Sequence, residues 1–219
     1  ENNSTTPEIK DYYSQLLGLS GDDSYEERCK LHTVCGHDGG ILHSGDGRIS
    51  IVTYHGDFNY SAVNDLGASY VSGEYILLLN NDTEVITANW MEEMLMYAQR
   101  EDVGAVGAKL YYADKTIQHA GVVIGLGAHR TAGHTHYRIP VQNLGYMGRL
   151  CYTQNVTAVT GACLLVKKSL YEQVGGLDES FVISLNDVDF CLKLRKLGLL
   201  NVWTPFAELY HYESISCLL

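Results

Sequence analysis

Short apolar runs alternate along this chain with stretches of helical spacing. Residues 1–19 begin polar and then turn helical, with Pro7 at the expected first turn, where a missing N–H costs nothing. Residues 20–47 mix Gly, Asp, Cys and His without a period and predict a long loop. Arg48 to Tyr54 (RISIVTY) is β-branched and alternating, which predicts a strand. Between Asn59 and Val71, Ala62, Val63, Leu66 and Tyr70 fall at helical intervals. Tyr75 to Leu79 (YILLL) is continuously apolar, the pattern of a central strand buried on both faces. It stops abruptly at Asn80-Asn81-Asp82-Thr83-Glu84.

A helix is predicted from about Ala88 to Arg100, carried by Trp90, Met91, Met94 and Leu95. Val103 to Tyr112 and Ile117 to Ile124 predict strands, and the Gly- and His-rich residues 125–150 predict a loop. Val156 to Val166 is strand-like on both sides of Gly161. Ser169 is placed to cap a short helix ending at Gly175-Gly176, and Asn186 a second one running to about Leu197. Asn201 to Trp203 predicts a short strand, followed by a tail with Leu209-Tyr210-His211-Tyr212. Strands alternating with helices, without an internal repeat, predict one α/β domain over residues 1–219, with a mixed or parallel sheet covered by helices. In such sheets ligands sit at the carboxyl ends of strands, where the polar cluster after Leu79 lies.

Composition narrows the function classes. With 46% apolar and 19% charged residues in a chain of 219, the chain reads as globular. No apolar run approaches the roughly 20 residues of a membrane span, and no signal-peptide pattern is visible. A net charge of −11 without a basic run argues against nucleic acid as a partner. A small anion remains compatible if a divalent cation screens it. Cys163 and Cys191 fall in apolar strand-like and helix-like runs and read as buried free thiols, which suits a reducing, cytoplasmic setting.

Five features could carry chemistry. Asp82 follows a fully apolar strand, so it is either a carboxylate delivered to a site mouth for Mg²⁺ or Mn²⁺ or the Asx turn that ends the strand. Asp187 and Asp189 sit in the first turn of a predicted helix; they are either a general base and its neighbour or ordinary helix-start acids. His211, among aromatics, is either a packed residue or an imidazole completing a Mn²⁺ site. Cys29, His32, Cys35 and His37 offer zinc-type ligands at a spacing that matches no usual finger, so a polar loop competes with zinc. His129, His134 and His136 form a second cluster on a polar loop with possible substrate contacts.

Taken in order, these segments resemble family 2 glycosyltransferases, especially the rhamnosyltransferase-like branch of cell-envelope polysaccharide synthesis. The resemblance rests on Phe58-Asn59-Tyr60-Ser61-Ala62-Val63-Asn64, on Gly73 through Glu84, on Val103 through Leu110 and on Ile117-Gln118-His119-Ala120-Gly121-Val122-Val123. It continues through Ala158-Val159-Thr160-Gly161-Ala162-Cys163, Val174 through Glu179, Asn186-Asp187-Val188-Asp189-Phe190-Cys191 and Pro205 through His211. About residues 48–215 are covered, and the ordered set is specific where any one piece is weak.

The resemblance implies a GT-A fold, with a mixed, mainly parallel sheet flanked by helices, and inverting sugar transfer assisted by Mn²⁺ or Mg²⁺. Asn80-Asn81-Asp82 is similar to the family's DXD motif, which makes Asp82 the metal contact and puts Asn80 and Asn81 beside the donor. Asn186-Asp187 is similar to its Glu-Asp motif, which makes Asp187 the base, with Asp189 on the acceptor side. His211 would complete the metal site, Thr160-Gly161-Ala162 would line the acceptor, and Asn64 would lie near the donor nucleotide. The implied partners are a UDP-, GDP- or dTDP-sugar and a saccharide or lipid-linked acceptor, with peripheral membrane association through a longer parent protein at the inner membrane face.

Two departures stand out. Glu1-Asn2-Asn3-Ser4 is similar to the family's Asp-Asn-x-Ser, so the chain is expected to lack the family's first strand, with Glu1 replacing a base-contacting Asp. Residues 20–47 read as a Cys/His/Gly-rich insert. Two alternatives stay open: an inactive sugar-binding or scaffold fragment, and a zinc-organised interaction module on residues 20–47.

Overall fold

The computed structural model describes residues 7–18, 41–44, 47–54, 56–126 and 130–212. Glu1, the Cys29/His32/Cys35/His37 cluster and His129 lie outside them. The chain divides into two compact units, Glu1–Phe58 and Asn59–Leu219.

In the first unit, helix α1 (Pro7–Leu16) starts on its proline, as the N1 preference predicts. Strands β1 (Ile41–His43) and β2 (Ser50–Val52) pair antiparallel, with Ile41 opposite Val52. β1 corrects the reading of residues 20–47 as loop throughout: its three residues are too few for a period to show.

The second unit holds α2 (Tyr60–Tyr70), β3 (Tyr75–Leu79), β4 (Thr83–Val85), α3 (Trp90–Ala98), β5 (Val103–Tyr111), β6 (Ile117–His119), β7 (Val122–Leu126) and β8 (Thr131–His134). A 3₁₀ segment (Tyr146–Cys151), β9 (Gln154–Val156), β10 (Cys163–Lys167), α4 (Lys168–Gln173), α5 (Asn186–Lys196) and β11 (Leu200–His211) follow. The main sheet runs β3-β10-β5-β11-β4, with β6 added to β5 and β9 to β11. β10 is antiparallel to both β3 and β5, and β11 is parallel to β5. The three principal strands β3, β5 and β11 therefore all run the same way, and β10 returns between two of them. Their carboxyl ends meet at one edge of the unit.

The alternation of side chains explains why both faces of this sheet are covered. Ile76 and Leu78 of β3 and Leu164 and Val166 of β10 join a core with Tyr171 of α4 and with Phe190 and Leu194 of α5. Cys163, Leu165, Val106, Ala108, Leu110 and Leu209 join the opposite core with Trp90, Met94 and Ala98 of α3. Each fully buried large apolar side chain contributes roughly 1.5–3 kcal/mol, so the layers hold together without special contacts. The apolar run at Tyr75–Leu79 is buried on one face only, at Ile76 and Leu78; Tyr75 and Leu77 are partly buried and Leu79 is exposed, because β3 ends the strand order among the described residues rather than lying at its centre.

Several local expectations shift. The strand read over Ile117–Ile124 breaks at Gly121, whose φ of +93° suits glycine and where a Cβ would lie 2.6 Å from Val156 Cγ1. Residues 125–150 contain β8, paired with β7, and the 3₁₀ segment. The short strand at Asn201–Trp203 is the start of a twelve-residue strand that carries on to His211, with a register shift between Trp203 and Glu208. Pro205 and that shift hide the continuity from a periodicity count. α4 begins at Lys168 without a side-chain cap from Ser169, and Asn186 is the first helical residue of α5 rather than its cap. Cys163 and Cys191 are buried free thiols, as expected. No helix among the described residues is long and apolar enough to cross a membrane.

Candidate active site

The common direction of β3, β5 and β11 delivers three segments to one edge: Asn80-Asn81-Asp82 after β3, Tyr112 after β5, and His211 at the end of β11. Because β10 runs back from that edge, the Thr160-Gly161-Ala162 segment that feeds it lies there too. Backbone hydrogen bonds lock these pieces together. Asn80 N–H donates to Ala162 O (3.0 Å), and Tyr212 N–H donates to Asp82 O (2.9 Å).

His211 is 8% exposed, and its two ring nitrogens have distinct duties. Nδ1 lies 2.7 Å from Gln118 Oε1, while Gln118 Nε2 donates to the His211 carbonyl (3.4 Å). A carbonyl only accepts, so that end of the Gln118 amide is the NH₂ and the other end is its oxygen. His211 Nδ1 therefore carries the proton, which leaves the Nε2 lone pair directed outward when the ring is neutral. Nε2 lies 3.1 Å from Asp82 Oδ1 and 3.2 Å from Asn80 Nδ2.

That arrangement fits a divalent cation. Adjacent ligands on an octahedral ion with bonds of ~2.1 Å sit about 3 Å apart, close to the Asp82–His211 separation. Among the described residues no group of three or more His, Cys, Asp or Glu side chains is placed to hold a metal, so this pair would supply two ligands and phosphate oxygens and water would complete the shell. Gln118 is the partner that orients the histidine, the usual companion of a ligating imidazole.

Asp187 sits in the first turn of α5, half-buried. Its Oδ2 accepts from Gly161 N–H (3.0 Å) and its Oδ1 from Val188 N–H (2.8 Å). Both oxygens are thus held by backbone donors, which fixes the orientation of the carboxylate. The chain enters this turn through Leu185 in the left-handed region (φ +67°), an uncommon conformation for a bulky residue that recurs at functional turns. Gly161 is also braced from its other side: Tyr60 Oη donates to its carbonyl (2.9 Å), and a Cβ at 161 would lie 2.8 Å from that hydroxyl.

The structure brings Asn80, Asp82, Thr160, Gly161, Ala162, Asp187 and His211 together. Asn81 is exposed at the turn. Asp189 is engaged with Lys193, one helical turn on, at 3.1 Å. Asn64 turns its amide to its own helix, donating to Tyr60 O (2.8 Å); among the described residues no hydrogen bond joins it to the Asp82 cluster.

Beside the cluster opens a cavity of about 480 Å³ lined by Tyr112, Gln118, His134, Tyr137, Thr160 and His211, with Leu126, Ala132 and Gly133. Behind its wall lies His119, wholly buried, whose Nδ1 is 2.9 Å from His134 Nδ1 and whose Nε2 faces Thr160 N–H at 3.4 Å. Burial, followed by the charges His134 and His211 would carry, holds the His119 imidazole well below its ordinary pKa, so it is neutral. His134 belongs to the histidine cluster that the sequence places on a polar loop with possible substrate contacts, whereas Gln118 and His119 carry no role in the sequence reading. Both lie on β6, which at three residues is too short to show a period.

Comparison with known proteins identifies the family and the fold. The profile described as Glycosyl transferase family 2 matches residues 41–175. An uncharacterized protein, y4gI, from Sinorhizobium fredii (strain NBRC 101917 / NGR234) is 49% identical over 178 residues, covering 81% of this chain and 19% of its own length. The O-antigen biosynthesis protein RfbC of Myxococcus xanthus is 41% identical over 172 residues, covering 78% of this chain and 13% of that protein. The chain therefore spans about a fifth or less of the length of these relatives. Among solved structures, that of GalNAc-T7 with UDP, GalNAc and Mn²⁺ superposes with a TM-score of 0.54 at 12% identity, over 70% of this chain and 30% of that one. The shared architecture is the GT-A fold.

Proposed function

This chain belongs to glycosyl transferase family 2, and on that premise we propose that it catalyses inverting transfer of a sugar from a nucleoside-diphosphate donor to a hydroxyl of a saccharide or lipid-linked acceptor. The biological setting proposed is cell-surface polysaccharide synthesis, supported by the likeness to an O-antigen biosynthesis protein. The reaction belongs in the cytoplasm, where the buried free thiols Cys163 and Cys191 are at home.

The observation that carries the reading is the convergence of two groups at one strand edge. One is the Asp82–His211 pair at 3.1 Å; the other is Asp187, fixed through Gly161 on the segment that leads back into β10. Asp82 and His211 would hold Mn²⁺ or Mg²⁺, with Asn80 alongside. Such a cation, when bound, neutralises the charge that builds on a departing diphosphate.

Asp187 supplies the other half. Its carboxylate takes the proton of the acceptor hydroxyl as that oxygen forms its bond to the anomeric carbon and the bond to the diphosphate oxygen breaks. Attack comes from the face opposite the leaving group, so configuration inverts. A base positioned in this way contributes about 10²–10⁴-fold in rate. Gly161 N–H keeps the carboxylate aimed, and Thr160 and Ala162 form the neighbouring wall for the acceptor.

The test is calorimetric titration of UDP, GDP and dTDP with Mn²⁺ into this chain and into Asp82→Ala. Metal-dependent binding of one nucleotide, lost in the variant, is expected. A well-folded chain that binds none of the three would favour instead a scaffold fragment without activity.

A further inference from the structure

A second cavity, of about 370 Å³, shares no lining residue with the one beside His211. Its wall includes Arg149 of the 3₁₀ segment, Arg195 of α5, His136, Tyr146, Asn155 and Thr157. Sugar transfer as described gives none of them a role.

The chain carries a net charge of −11, and several of its cations meet carboxylates: Arg100 pairs with Asp102, Arg138 with Asp114 and Lys193 with Asp189. Arg149 and Arg195 differ, because among the described residues their hydrogen bonds go only to neutral groups. Arg149 Nε donates to Gln154 Oε1 (2.7 Å) and Arg195 Nη1 to Val156 O (3.4 Å). A guanidinium has five N–H donors, so one such bond leaves most of them for a ligand. Both anchors lie on β9, two residues apart and therefore about 7 Å along the strand, which holds the two cations over one short stretch.

Among the described residues, none lining the cavity is Asp or Glu. Residues 127–129, between β7 and β8 in the sequence, are Gly, Ala and His and bring no carboxylate. Burial, followed by the charge of Arg149, lowers the pKa of His136 below its ordinary value, so the positive charge of the wall comes from the two arginines. Tyr146, Asn155 and Thr157 add neutral polar groups.

The planar fork of a guanidinium matches the paired oxygens of phosphate or carboxylate. Two such forks balance a phosphate monoester, which carries about −1.5 to −2 at neutral pH, better than a single carboxylate. This anion is not the donor diphosphate. Arg195 lies near the opposite end of α5 from Asp187, about 12 Å away along the helix. Tyr146, which lines the cavity, and its neighbour Met147 are 78% and 80% exposed, so an apolar chain attached to the phosphate would find contacts there.

We propose that this cavity is a second anion site, which binds a phosphate monoester group between Arg149 and Arg195. The group belongs either to a lipid headgroup or to a free phosphorylated solute, and the two forks take both in the same way. The site goes beyond the glycosyl-transfer reading and does not depend on it.

The test is calorimetric titration of inorganic phosphate, in chloride buffer without divalent metal, into the wild type, Arg149→Gln, Arg195→Gln and Asp82→Ala. Saturable binding of one phosphate is expected in the wild type. Each arginine variant should weaken it roughly tenfold or more, the worth of a charge-assisted hydrogen bond, and Asp82→Ala should match the wild type. Thermal midpoints show which variants fold; should Arg149→Gln fail, because it gives up the Gln154 bond, Arg195→Gln decides. Sedimentation with phosphatidylcholine vesicles, with and without phosphatidic acid, separates the two sources. Pelleting that needs phosphatidic acid and is reversed by inorganic phosphate identifies a headgroup; saturable phosphate binding without pelleting identifies a soluble ligand.

A folded wild type without saturable phosphate binding overturns the proposal, as does an affinity unchanged in Arg195→Gln or lost in Asp82→Ala. The nucleotide titrations are unaffected by any of these results, so the transferase reading stands or falls separately.

Discussion

Replacing Gln118 by leucine probes the candidate metal centre without touching a ligand. Gln118 is 5% exposed, and its Oε1 receives the Nδ1–H of a histidine that is 8% exposed, at 2.7 Å. Leucine nearly matches its volume but cannot accept a proton. Two consequences follow. The orphaned N–H costs about 1–3 kcal/mol of stability, which for a unit of this size lowers Tm by roughly 2–12 °C. The His211 ring also loses the bond that reserves Nε2 for a cation. Losing such an orienting partner typically lowers metal affinity 10–100-fold, or about 1.4–2.7 kcal/mol.

The assay is a Mn²⁺ titration at a saturating concentration of the nucleoside diphosphate that binds, followed by calorimetry or by the loss of the free Mn²⁺ spin-resonance signal. Gln118→Leu should show the weakened metal, whereas Gln118→Glu, whose carboxylate still accepts from Nδ1, should stay near wild type. A folded leucine variant with wild-type Mn²⁺ affinity would refute the assignment of His211 Nε2 as a ligand oriented through Gln118.

Three further outcomes are expected. Asp187→Asn should lower turnover by about 10²–10⁴-fold in a nucleoside-diphosphate release assay while leaving Mn²⁺–nucleotide binding intact, because its contacts are to Gly161 and Val188 rather than to Asp82 or His211. Gly107→Ala drives a Cβ to 2.5 Å from Val159 Cβ in the packed layer of β5; overpacking of this kind costs about 1–3 kcal/mol, visible as a lowered thermal midpoint. Burial pushes the Cys163 and Cys191 thiols up to about 12, so both stay protonated throughout the neutral and mildly alkaline range. Iodoacetamide labelling followed by peptide mass spectrometry should find exposed Cys151 alkylated and the two buried thiols unlabelled until the chain unfolds.

Much of the candidate site can be read from local pattern. Asp82 stands where an apolar strand stops, and Asp187 where a helical period begins; both positions follow from the rule that sheets present chemistry at strand ends. His211 is harder to read, because Pro205 and the register shift in β11 conceal that it ends a strand parallel to β5. Asp189 looks equivalent to Asp187 in sequence, but two residues along a helix turn a side chain through about 200°, and Asp189 meets Lys193 instead of Gly161. The contact of His134 with His119 was least legible of all, although His134 itself stands out in a histidine cluster. His119 and His134 come from β6 and β8, elements of three and four residues, one of them inside a stretch whose composition reads as loop.

The sequence by itself determined the α/β class, the main helices and the longer strands, because burial imposes periods of 3.6 and 2 wherever an element is long enough to show them. It also identified the carboxylates at element ends, where side-chain chemistry and chain geometry coincide. Only the tertiary structure decided which of those groups meet. The antiparallel return of β10 between β3 and β5 sets Gly161 against Asp187, and the parallel run of β11 beside β5 sets His211 against Asp82. The orientation of His211 through Gln118 was likewise beyond the sequence, since a tautomer is fixed by what each ring nitrogen faces, and those partners lie far apart along the chain.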